Sequence, residues 1–211
     1  MNLQFIAETA SEGIDEAVQR YQEALYINIT PKAGSPVWEL FGTGATKADE
    51  KFDAQTSDKR YINQVSSSQS VTGYTYSVEY EYDQIPSQRV IKFIDSVAKK
   101  EKVGSNAVTD LVIVSMNLNS RADKGYPARK RRVTISPDGN TDSDGTMTGS
   151  GSLLGRTDWG YGYFDVEKRI FTEDEKAGEA FDVVIDDGQV PDGTGSGNET
   201  ENGEQDETAG I

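Results

Sequence analysis

The sequence predicts a mainly β fold: two packed antiparallel sheets, sandwich- or barrel-like, with one flanking α-helix around residues 87–102. Three observations carry that expectation. Tyr74, Tyr76, Val78, Tyr80 and Tyr82 alternate strictly with Thr75, Ser77, Glu79 and Glu81. A period of two puts the two sets on opposite faces of a strand, one apolar and one wet and acidic. Val90, Ile91, Ile94, Val97 and Ala98 recur at helical spacing, with Lys92, Asp95, Lys99 and Lys100 opposite, which is the pattern of a helix laid on a core. Several strands, one helix and then more strands argue for antiparallel sheets rather than a parallel doubly wound one.

The elements follow in chain order. Residues 8–16 are polar and read as a flexible arm or a short first element, so residues 1–18 are set apart from the fold. Leu25, Ile27 and Ile29 alternate with Tyr26, Asn28 and Thr30 up to Pro31, a strand closed by a residue that cannot donate to a ladder. Trp38 and Leu40 open a second strand or anchor a core. Residues 42–59 are polar, with a mixed-charge series at Lys47, Asp49, Glu50, Lys51 and Asp53. They read as a long loop, and loops of that length in compact domains are functional or disordered. Residues 61–65 read as a strand, followed by the Tyr-rich strand after Gly73. Pro86 and Gly104 bracket the helix as start and stop signals. Residues 108–118 are apolar on both faces, a buried strand. Residues 129–135 make another strand, 137–145 a turn, and 147–154, 159–171 and 181–185 the last sheet material.

Composition narrows the chemistry. There are 36 acidic and 21 basic residues, a net charge of −15, and neither Cys nor His. Disulfides, thiolate metal sites, imidazole bases and Ser-His nucleophiles are therefore excluded. More than half of the charge excess comes from Asp186, Asp187, Asp192, Glu199, Glu201, Glu204, Asp206 and Glu207, in a stretch without Lys or Arg. Residues 186–211 contain too few apolar side chains to fold and read as a disordered acidic tail. An acidic body repels a nucleic-acid duplex. The first ten residues lack a basic segment followed by an apolar run, so no secretory signal is expected. The longest aliphatic run is 111–114, far short of a membrane span. Synthesis as a soluble protein in a cytoplasm is the expectation.

Several segments carry a sharper and a plainer reading. Asn140, Asp142, Asp144 and Gly145 resemble the start of a calcium loop, but Gly151 stands where the bidentate carboxylate belongs. A hairpin turn is the plainer reading. Arg129, Lys130, Arg131 and Arg132 split two and two between strand faces; they could touch phosphate, or pair with acids on this chain or a neighbouring copy. The second reading suits an acidic body. Gly149, Gly151, Gly155, Gly160 and Gly162 lack the Lys-Ser/Thr of a phosphate loop and suit bulges and close backbone approach. A carboxylate pair for glycoside hydrolysis has no motif here, and solvated faces explain the acids.

The order of features resembles the major tail proteins of long-tailed bacteriophages, the subunits of the tail tube. The segments that carry the likeness are Trp38-Glu39-Leu40-Phe41-Gly42, Lys59-Arg60-Tyr61-Ile62-Asn63, Ser70-Val71-Thr72-Gly73-Tyr74 and the helix over 91–97. Tyr126-Pro127-Ala128-Arg129-Lys130, Met147-Thr148-Gly149-Ser150-Gly151, Gly162-Tyr163-Phe164-Asp165 and Phe171-Thr172 complete it. The resemblance runs from residue 19 to 173, within an expected domain of 19–185.

It implies a structural virion protein, not an enzyme, with no cofactor or metal and no membrane. Such a subunit assembles with itself into stacked hexameric rings that form a tube, and DNA passes through the lumen without specific binding during ejection. Tape-measure and tail-terminator or tail-tip proteins are the implied partners. Lys47, Asp49, Glu50, Lys51 and Asp53 are then expected in a contact between rings, and Arg129 to Arg132 in charge pairing between subunits or in the wall. The competing expectation is a β-sandwich binding module for carbohydrate or another surface, using aromatics such as Trp159, Tyr161 and Tyr163.

Overall fold

The computed structural model describes residues 17–63 and 65–182. The chain divides into two compact units, Met1–Ala180 and Phe181–Ile211. Of the second unit only residues 181 and 182 are described. The expected acidic tail (186–211) and nearly all of the expected arm (1–18) lie outside the described residues.

The first unit holds nine strands and one helix: β1 (Glu23–Asn28), β2 (Trp38–Leu40), β3 (Ala45–Lys59), β4 (Ser68–Asp83), α1 (Arg89–Lys99), β5 (Val108–Ser115), β6 (Tyr126–Ser143), β7 (Thr146–Gly155), β8 (Gly160–Asp165) and β9 (Ile170–Glu173). All strand pairs are antiparallel. The expected mainly β class with one flanking helix stands. Hydrogen bonds join the strands into one unclosed network, β2-β1-β5-β6-β7-β4-β3, with β8 and β9 branching from β6.

The branch explains the layering. The first half of β6 pairs β8, from Tyr126↔Phe164 to Lys130↔Gly160. Its second half pairs β7, from Val133↔Gly155 to Ser143↔Thr146. The sheet forks between them, at Arg131 and Arg132. One core cluster joins Leu25, Ile27, Tyr76, Val78, Tyr80, Tyr82, Leu111, Ile113, Val133, Ile135 and Leu153 to the helix residues Val90, Ile91, Ile94 and Val97. A second lies on the other face of β1 and β5, where Tyr26, Val112 and Val114 meet Phe164 of β8. Strand β5 is apolar on both faces because each face packs on its own cluster. Burying each large side chain here contributes roughly 1.5–3 kcal/mol.

The helix begins after Gln88 and buries four of the five residues its spacing marks, with Ala98 only partly buried. Its stop differs from the expectation at Gly104. Glu101 takes a left-handed φ of 48°. Its N–H donates to the Ala98 carbonyl and that of Lys102 to the Val97 carbonyl, the paired bonds that close a helix end.

Four other expectations need correction. Residues 42–59 are not a loop, since 45–59 form the edge strand β3. An edge strand whose faces are largely wet has no apolar alternation to reveal it. Residues 61–65 are not a strand, because Tyr61, Ile62 and Val65 sit exposed in the connection at the tip of the β3–β4 hairpin. The turn expected over 137–145 shrinks to Asp144 and Gly145, with φ of 50° and 81°. That is the Asp-Gly signature of a two-residue hairpin loop. Pro137 survives within β6 because it adjoins a register shift between Pro137 and Gly139. Finally, Phe181 ends a 3-10 helix (Glu175–Phe181) rather than starting a strand; residues 183–185 lie outside the described residues.

The expected close approach at the glycines is found on β7. Gly149 and Gly151 lie opposite Tyr82 and Tyr80 on β4. A Cβ added at Gly151 would come 2.5 Å from both the Ser136 carbonyl oxygen and the Tyr80 hydroxyl. The two tyrosine rings stack at 5.9 Å over this glycine floor.

Candidate assembly surface

The β3–β4 hairpin outgrows the sheet that supports it. Strand β4 pairs β7 only over residues 77–83. Residues 52–59 and 68–76 are held by each other alone. At about 3.3 Å per residue, eight residues make a two-stranded ribbon roughly 26 Å long. Its inward-facing row continues the core alternation into solvent. Tyr76 is 2% exposed and Tyr74 is 64% exposed, although the sequence places them on the same face. Phe52 pairs with Tyr76, Ala54 with Tyr74 and Thr56 with Val71, across a bulge that restores the register. Phe52, Tyr74 and Val71 therefore form a short exposed apolar row; Asp58 and Gln69 follow on the same face, and Tyr61, Ile62 and Val65 are exposed separately near the tip. A lone two-stranded ribbon is marginal in water, and a contiguous apolar patch marks an interaction surface. Sequence reasoning missed this surface because alternation reports which face is apolar, not whether anything covers it.

Lys47, Asp49, Lys51 and Asp53 occupy the wet face of β3. Lys47 lies 3.2 Å from Glu79, 3.8 Å from Glu81 and 3.9 Å from Asp49, and Lys51 also pairs with Glu79. Hydrogen bonds from Lys51 and then Lys47 hold the Glu79 carboxyl below its ordinary value, and the bond to Glu79 raises Lys47. Exposed pairs of this kind mainly keep the ladder in register. Glu50 points the other way. It receives Arg129 at 2.8 and 2.9 Å and the Tyr76 hydroxyl at 2.8 Å, tying edge strand β3 to β6. It is a half-buried partner of Arg129 and Tyr76 within this chain.

The basic run splits two and two as its strand period requires. Arg129 and Arg131 lie against Trp159, at 4.8 and 5.1 Å from the ring; Trp159 in turn meets Tyr76 edge-on at 4.9 Å. Lys130 pairs with Glu173, and Arg132 with Asp110 at 3.1 Å. Three of the four cations thus have carboxylate partners within this chain.

Among the described residues, the outer edge of β3 has no strand partner. It faces a cleft of about 670 Å³, lined by Tyr26, Leu40, Phe41, Ala48, Met116 and Val166 among others. Arg20 crosses this opening, donating to the carbonyls of Glu23 on β1 and Ala48 on β3. Burial raises the hydroxyls of Tyr76, Tyr80 and Tyr82 above the ordinary tyrosine value, that of Tyr82 to about 12. None of the three is poised for proton transfer near neutrality. Among the described residues, no group of three acidic side chains could hold a metal ion, and no helix is long and apolar enough to cross a membrane. The aromatics considered for carbohydrate do not form one platform. Tyr163 is buried beneath Arg121 at 4.9 Å, and Trp159 is enclosed by the two arginines.

No family model matches the chain, and no curated protein matches it. Solved structures similar to it include tail components. A chain from the tail of an empty GTA particle, determined by helical refinement with C6 symmetry, has TM-score 0.47 and 12% identity, covering 69% of this chain and 98% of that one. A chain from the tube-terminating cap of the anti-feeding prophage has TM-score 0.42 and 12% identity, covering 75% and 99%. A chain from the sheath/tube terminator of the PVC extracellular contractile injection system has TM-score 0.41 and 10% identity, covering 69% and 96%. Each overlap is partial, and the reading below stands on this chain's own strands and residues.

Proposed function

We propose that the protein is a structural subunit of a tail tube, assembling with itself into hexameric rings that stack around a lumen for DNA. The observation that supports it most is the β3–β4 ribbon: roughly 26 Å of two-stranded sheet with an uncovered apolar row and an unpaired outer edge. In a monomer such an edge is a liability; between identical copies it is a joint. The ribbon lies on the stretch the sequence resemblance assigns to contacts between rings, with Lys47, Asp49, Lys51 and Asp53 on its wet face and its root. Rings are closed heterologous assemblies, and head-to-tail stacking leaves an open filament. An acidic wall lets DNA pass without gripping phosphate. In this reading the protein works by shape rather than catalysis, in the virion, beside tape-measure and terminator or tip proteins.

The test is electron microscopy of the purified full chain against a variant in which residues 57–70 are replaced by Asn-Gly. Removing β3 entirely would uncover the tyrosine core; this shorter change leaves the body paired. The full chain should form rings or tubes, and the variant should stay dispersed with unchanged circular dichroism. A full chain that is monomeric at high concentration in every salt sinks the proposal, and a variant that assembles normally removes the outer half of the ribbon, residues 57–70, from it.

A further inference from the structure

Lys32, Arg132 and Arg156 line one concavity of about 480 Å³ with Asp110 and Thr157. A neighbouring one of about 640 Å³ shares Asp110, Arg132 and Thr157 and adds Lys130 and Arg131. Together they make a trough across the fork of the sheet. Arg132 is paired with Asp110 and Lys130 with Glu173. Arg131 donates to the Thr157 carbonyl, and Lys32 to the neutral Asn106 side chain. Arg156 is exposed and carries no ion pair among the described residues. Asp158 also lines the second concavity. Lys32, Lys130, Arg131, Arg132 and Arg156 still outnumber Asp110, Asp158 and the Glu173 paired to Lys130, so the trough keeps surplus positive charge in a chain whose net charge is −15.

The complementary feature is the β6–β7 hairpin. Between Arg132 and Arg156 the chain has no Lys or Arg; Asp138 lies on the strand six residues before the turn, while Asp142 and Asp144 stand exposed at the two-residue turn itself. Asp142 and Asp144 have no ion-pair partner among the described residues. The trough lies beside the middle of β6, at the fork, and the turn lies at the end of the same strand. Twelve residues separate Arg132 from Asp144, up to about 40 Å of extended chain. A continuous paired strand holds the two patches apart, so the acidic tip cannot fold back into its own trough.

We propose that the trough receives the acidic β6–β7 tip of a second copy of this chain. This rests on the reading of the protein as a self-assembling subunit and names one of its joints. Such a contact is heterologous: each copy offers a tip and a trough, so copies add head to tail. Complementary charge sets orientation and encounter rate, and salt weakens it.

The experiment uses two full-length variants and their mixture. Lys32→Glu/Arg156→Glu makes the trough acidic; Asp142→Lys/Asp144→Asn makes the tip basic. All four positions are exposed, and Asn tolerates the left-handed backbone at position 144. Each variant alone should need at least about tenfold more protein to assemble, by light scattering and electron microscopy, since a 1.4 kcal/mol loss per joint is already tenfold. Mixed one to one they should assemble in alternation, because each tip then meets an opposite trough. Rescue on mixing also shows that both variants are folded. The milder Arg156→Gln should raise the assembly concentration several-fold. Wild-type assembly with either variant alone unaffected overturns this joint and leaves the tube reading standing, as does a mixture that stays dispersed. Failure of the wild type to assemble at all overturns both.

Discussion

Glu50→Ala tests what binds the edge strand to the body. The Glu50 carboxylate takes Arg129 at 2.8 and 2.9 Å and the Tyr76 hydroxyl at 2.8 Å. The Glu50 and Arg129 side chains are 19% and 18% exposed, which sets the expected magnitude. Breaking a fully buried pair costs about 3–5 kcal/mol; an exposed one is worth under about 1 kcal/mol. One-fifth exposure places the charge loss near 2–3 kcal/mol, and the orphaned Tyr76 hydroxyl adds about 1 kcal/mol. The expected total is about 3–4 kcal/mol, or a fall in Tm of roughly 6–16 °C at about 2–4 °C per kcal/mol for a domain of this size. Arg129→Met keeps an apolar stem against Trp159 and should cost about 2–3 kcal/mol. Urea melts followed by circular dichroism give each value by linear extrapolation. The double variant should lose about 1.5–2 kcal/mol less than the sum of the singles, because the second substitution removes an already stranded partner. A Glu50→Ala protein within about 0.5 kcal/mol of the parent, or strictly additive singles, would refute the reasoning.

Two further outcomes follow from the tyrosine core. The raised hydroxyls of Tyr76, Tyr80 and Tyr82 mean that the folded state favours their neutral forms. Their contribution is complete below the unfolded value near 10 and is lost as pH rises through the folded values. Thermal melts should therefore be level, as far as these groups go, from about pH 8 to 9.5 and fall steeply above about pH 10, with the last tyrosinate absorbance arriving only on unfolding. Early ionisation of all tyrosines in a still-folded protein would contradict the packing. Gly151→Ala should cost about 2–3 kcal/mol, since the added carbon lies 2.5 Å from a backbone oxygen that cannot yield. Gly73→Ala, where a Cβ meets open space, should stay within about 0.5 kcal/mol in the same melts.

The elements legible in the sequence were those whose signal is a burial period. The alternation at 74–82, the helical spacing at 90–98 and the doubly apolar run at 108–118 each record an apolar face; each appears as the expected element, the last ending at Ser115. Strand β3 carries no such record, because it borrows its hydrogen bonds from β4 and leaves most of its surface wet. The basic run showed its two faces but not its partners: Glu50, Glu173 and Asp110 lie 79, 43 and 22 residues away, and no local pattern encodes such distances.

The sequence alone thus determined the β class, the single helix, the tyrosine core face and the exclusion of His and Cys chemistry, since these depend only on residue type and local spacing. Tertiary structure alone decided that the tyrosine face runs out past its cover at Tyr74, that the sheet forks at Arg131 and Arg132, and that surplus cations stand beside the middle of β6 and unpaired acids at its end. Those facts depend on where each strand's partner stops, and that length is set by distant segments meeting in space rather than by the strand itself.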